Sequence, residues 1–134
     1  MSAGKLNFDN KTASWCEQGV TFDRTLTWTD ATATPINISG YTARMEVKSK
    51  YSDATPIAEL TTENGGIVLG GAAGTIRIIL TAEQTAAIPA KDGSASGTIP
   101  PTKDYLYDLE LISNTGVVTR LVEGKFVVAA EATK

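Results

Sequence analysis

Histidine is absent from this 134-residue sequence, and cysteine occurs once, as Cys16. Without an imidazole, the usual base beside a nucleophilic serine or cysteine is missing, which speaks against triad-type hydrolysis. The same counts exclude a disulfide within the chain and zinc sites of the usual Cys/His kind. The lone thiol therefore reads as a small core residue. No stretch approaches the ~20 apolar residues that span a bilayer. The opening MSAGKLNFDN has no apolar run like a signal peptide, so synthesis in the cytoplasm is expected. Runs of basic residues are also missing. Twelve Lys and Arg stand against 15 Asp and Glu, a net charge of −3, with a pI near 4.9. That balance argues against nucleic acid and against an anionic membrane as partners, since both attract a positive face.

What the sequence does hold is strand patterning. In VTFDRTLTW, Val20, Phe22, Leu26 and Trp28 share a face interrupted only by Arg24, an alternation that predicts a strand. In YTARMEVK, Tyr41, Ala43, Met45 and Val47 alternate with Thr42, Arg44, Glu46 and Lys48. Shorter strands are expected at 56–60, 67–69 and 75–80, with a turn at 63–66 and a glycine-rich hairpin tip at 70–74. That tip is no phosphate loop, because no GK[ST] follows it and no helix begins there. TAEQTAAI, 81–88, has capping-box spacing between Thr81 and Gln84 and ends at Pro89, which predicts one short helix. A Gly, Ser, Pro and Ala-rich loop spans 89–104. Tyr105, Tyr107, Leu109 and Leu111 then share a face, Ser113 to Gly116 make a turn and a second strand follows, and Gly124 opens a last one. About eight short strands with frequent turns predict an all-β, immunoglobulin-like antiparallel sandwich, with a closed barrel as the alternative. Trp28 or Trp15 is expected to plug the space between its sheets. Residues 1–18 form an arm or edge strand and 19–134 a single domain.

Candidate chemistry is sparse. Asp108 and Glu110 lie two apart on one strand face, a spacing compatible with paired carboxylates. They point away from the Tyr107/Leu109 side, so a hydrated sheet face is the favoured reading. Asp53, Glu63, Asn64, Asp92 and Asp104 lie in expected loops but lack the alternating acidic spacing of a calcium loop. No metal site, cofactor or catalytic set is expected. Among the aromatics, Trp28, Tyr41 and Tyr107 fall on apolar faces, whereas Trp15 and Tyr51 lie in polar stretches and are the candidates for stacking on a sugar ring.

The order of segments carries a further signal. Ile36-Asn37-Ile38-Ser39-Gly40-Tyr41 precedes the strand at 42–48, Tyr107-Asp108-Leu109-Glu110-Leu111 follows the helix, and Arg120-Leu121-Val122-Glu123-Gly124-Lys125-Phe126-Val127-Val128 closes the set. Over about 20–132 this resembles bacteriophage virion proteins, and in particular the N-terminal domain of phage baseplate upper proteins. The resemblance implies an immunoglobulin-like sandwich without enzymatic activity, located in the virion. It would act as a structural or adaptor part of tail, baseplate or capsid, with other virion proteins as partners in a homo-oligomer or multi-copy assembly. The loop 89–104 is longer than the link usual before the YDLEL strand. The chain lacks the fibre or receptor-binding region that follows this domain in longer proteins, which favours a stand-alone component. A carbohydrate- or receptor-binding module on the virion surface, with a host glycan as ligand, is the alternative. Candidate interface residues are Leu6, Phe8 and Trp15 of the arm, Tyr51, Gly70 and Gly71 of the hairpin tip, and Lys91 and Asp92 of the long loop. The arm either docks on a neighbouring subunit or adds an edge strand to its own domain, the latter being favoured.

Overall fold

The computed structural model describes residues 4–9, 15–90 and 101–131. Among the described residues nine strands are present: β1 (Gly4–Lys5), β2 (Cys16–Glu17), β3 (Phe22–Thr27), β4 (Thr42–Lys48), β5 (Ala58–Thr61), β6 (Ile67–Leu69), β7 (Thr75–Leu80), β8 (Thr102–Ile112) and β9 (Val118–Ala129). A short helix, α1 (Ala82–Ala86), joins β7 to β8. The larger sheet runs β1-β9-β8-β4-β5, with β2 also pairing on β9, and the smaller runs β3-β7-β6. β1 and β2 lie parallel to β9, whereas every other strand pair is antiparallel. β4, β5, β8 and β9 thus share one sheet and β3, β6 and β7 the other, which makes the fold an all-β sandwich of two sheets.

Period-two alternation places the core. Tyr105, Tyr107, Leu109 and Leu111 of β8, and Ala43, Met45 and Val47 of β4, are all buried against Phe22, Ile76, Ile78 and Ile67 of the opposite sheet. The centre is aromatic. Phe8 lies 5.4 Å from Phe22 and 5.1 Å from Tyr107, and Phe22 lies 5.2 Å from Phe126. These edge-on and tilted ring pairs fill the space that Trp28 or Trp15 was expected to fill. Both tryptophans are instead half-buried, Trp28 standing at the rim edge-on to Tyr41, 6.5 Å away. Arg24, the residue that breaks the apolar face of β3, lays its guanidinium 4.5 Å from the Phe22 ring centre. A cation over an aromatic face keeps the charge near water and the stem on apolar surface. Val20, at the head of that face, is half exposed at 50%.

The arm is an edge strand of its own domain, joined to β9 in an unusual way. The Leu6 and Phe8 amides donate to the carbonyls of Glu123 and Lys125 at 3.0 and 2.9 Å. Between them the Leu6 carbonyl turns inward and accepts from the Tyr107 hydroxyl at 2.7 Å. The Asn7 side chain takes the place so vacated, its Oδ1 accepting from the Lys125 amide at 2.9 Å. Gly124 sits under this crossing: a Cβ there would lie 2.1 Å from the Leu6 oxygen. The glycine is thus a notch inside one continuous strand, not the start of a new one, and β9 replaces the two strands expected across 117–130. A register shift opposite Leu109/Glu110 further bends the pair.

The helix has its expected capping box, with Thr81 Oγ1 accepting from the Gln84 amide and Gln84 Oε1 from the Thr81 amide, at 3.1 and 2.8 Å. The hairpin tip at 70–74 is largely exposed but is tied to the β3–β4 connection through its backbone. The Ile38 amide donates to Gly71 and the Trp28 amide to Gly74, at 3.0 and 2.8 Å. Gly74, at φ +68°, leaves no room for a side chain, since a Cβ would lie 2.8 Å from the Trp28 carbonyl oxygen.

Candidate interaction surface

Inward alternation on β8 implies outward alternation of Thr102, Asp104, Leu106, Asp108 and Glu110. These side chains floor a line of three depressions on the outside of the larger sheet. At the first end, about 260 Å³ is lined by Trp15, Asp9, Asp104, Thr102 and Lys125. A small hollow of about 60 Å³ follows, with Tyr51, Lys48, Leu106 and Asp108 around it. Beyond it lies a shallow basin of about 400 Å³ between Arg44, Glu46, Glu59, Asp108 and Glu110.

Register decides the electrostatics. Glu46 stands opposite both Glu59 and Asp108, and Asp108 opposite Glu123, so four carboxylates form one row across four strands. Directly opposed like charges cost stability unless cations interleave. They do here: Arg44 meets Glu110 at 2.8 Å, and Arg120 reaches Asp108 and Glu110 at 3.5 and 3.8 Å. Lys48 reaches Glu46 at 3.4 Å, Lys5 reaches Glu123 at 3.3 Å, and Lys125 reaches Asp104 at 3.7 Å. Burial lifts the Asp108 carboxyl above its usual pKa; Arg120 counters this, while Glu110, Glu46 and Glu123 reinforce it. The Cys16 thiol, buried in the core, is pushed up to about 12 by desolvation, which leaves it protonated and unreactive at neutral pH. Burial raises the Tyr107 hydroxyl likewise, in keeping with its role as a donor to Leu6.

The residues singled out from the sequence scatter. Phe8 is core, 2% exposed, and Leu6 is half-buried against that core. Gly70 is exposed and Gly71 half-buried, at a tip tied by backbone hydrogen bonds to Ile38 and Trp28. Lys91 and Asp92 lie outside the described residues. Trp15 and Tyr51, 110 and 55 residues respectively before the Lys125 and Leu106 beside which they line depressions, come to the same end of the larger sheet. Arg44, Lys48, Arg120 and Lys125 escaped the sequence reading, because their significance rests on cross-strand register. The i, i+2 run Thr102, Asp104, Leu106, Asp108, Glu110 was the one available signal. Among the described residues no group of Cys, Asp and Glu is placed to hold a metal ion, and no helix is long and apolar enough to cross a membrane. Compared with known proteins, the sequence matches no family model and no curated protein.

Proposed function

We propose that this protein is a non-enzymatic structural or adaptor component of a bacteriophage virion, working through protein–protein contacts in several copies. The observation that supports this reading most is the distribution of exposed apolar side chains. Tyr51 and Ile57, in the β4–β5 connection, are 66% and 41% exposed; Val117 and Val118, at the β8–β9 turn, are 61% and 49% exposed. The two groups stand at opposite ends of the larger sheet, since Lys48 pairs with Leu106 and Thr42 with Ile112. A sandwich with apolar contacts at both ends suits stacking between neighbours, where each weak contact is multiplied by copy number. The outward carboxylates support a non-catalytic reading too, being spread over an open sheet face and met by arginine and lysine. Mass spectrometry of purified particles of the phage encoding the chain tests the proposal. Its peptides are expected at a stoichiometry matching a multi-copy component, and their absence from intact particles would overturn it.

A further inference from the structure

We infer that the outer face of β8 is a groove for a neutral oligosaccharide, with Trp15 and Tyr51 as its aromatic platforms. This goes beyond the assembly role and holds whether or not the chain sits in a virion. From Thr102 to Glu110 the floor spans nine residues, whose eight steps cover roughly 26 Å at the rise of a strand. That length accommodates several sugar units in a row. Trp15 lines the first depression and Tyr51 the second, so two rings flank the same end of the floor. Rings with an apolar face beside polar groups suit a pyranose, which is apolar on its C–H faces and polar at its edges.

The class of ligand follows from what the groove offers. Asp104, Glu46, Asp108 and Glu110 each have a basic side chain within 4 Å, at 3.7, 3.4, 3.5 and 2.8 Å respectively. A charged ligand would have to compete with these internal pairs. A sugar hydroxyl both donates and accepts, and can bridge a carboxylate and a lysine without separating them. An extended peptide would gain little here, because β8 is a central strand whose backbone is already paired on both sides, to β4 and β9. β-augmentation needs a free edge.

The test is a glycan array of bacterial-surface and host-surface oligosaccharides, probed with the full-length labelled protein, followed by calorimetric titration with the strongest neutral hit. Trp15→Ala and Tyr51→Ala are each expected to weaken binding about 10-fold, as truncating an aromatic anchor does. Trp15→Phe should recover part of the loss, and Val117→Ala, at the far turn, should leave affinity unchanged. Thermal melts of each variant establish that it is folded. An array at background with folded protein overturns the inference. So does a preference for anionic glycans, or retention of full affinity by both alanine variants. Binding of an oligolysine peptide in place of any glycan overturns it in favour of a cationic protein partner.

Discussion

The two faces of β8 belong to one strand and are opposite kinds of surface. Inside, Tyr105, Tyr107, Leu109 and Leu111 are at most 2% exposed and meet aromatic rings or aliphatic side chains. Outside, Asp108 and Glu110 share Arg120, whose side chain is 51% exposed. The inner face is held by close packing, in which a missing group leaves a void. The outer face is held by screened charge pairs, which rearrange at small cost. Stability therefore resides on one face, and the other is left free to vary with whatever it contacts.

The largest effect that would break this contrast is at Phe8. Phe8→Ala is expected to lower stability by about 3–5 kcal/mol in denaturant unfolding, the usual cost of removing a buried aromatic ring. A loss near zero would mean that the arm does not close the core. Gly124→Val is expected to cost about 2–3 kcal/mol as the arm is pushed off its notch, with faster proteolysis within residues 1–18 as the readout. Tyr107→Phe keeps the ring but strands the Leu6 carbonyl, with an expected loss of about 1–2 kcal/mol. On the other face, Arg44→Ala should cost no more than about 1 kcal/mol, and less at high salt, because the side chain is 54% exposed.

The smallest effect is a pH dependence of opposite sign at two carboxylates. Burial raises the Asp108 pKa above its ordinary 3.8. Its contribution to stability is thus fully present below that value and is lost as pH rises through the higher folded value. Asp108→Asn should raise the melting midpoint at pH 7, with the gain fading towards pH 3. Asp23, on the smaller sheet, is held below 3.8 chiefly by the hydrogen bond from Arg77. Its contribution is present above 3.8 and lost as pH falls through the lower folded value, so Asp23→Asn should lower the midpoint at pH 7 and make no difference at strongly acidic pH.

Much of the fold was legible because its signals are local. The alternation of Phe22 to Thr27 and Thr42 to Lys48, the Thr81/Gln84 cap and the turn at Ser113–Gly116 each act over a few residues. Two local signals misled. Gly124 reads as a strand boundary, yet it is the point where the arm's backbone crosses β9. Phe8 lies in a polar-looking arm, and only its neighbours Phe22, Tyr107 and Phe126 make it core. The candidate surface was less legible still, since Asp108 and Glu110 could be placed outward but their partners could not.

By itself the sequence determined which side chains face in and which face out, because the two-residue period of a strand needs no distant partner. Only the tertiary structure decided which of them stand opposite one another. Arg44 meets Glu110 across 66 residues of chain, and Tyr107 meets Leu6 across 101. Those registers arise when two sheets close over a shared core, and packing selects among pairings that the strands' local patterns leave equally open.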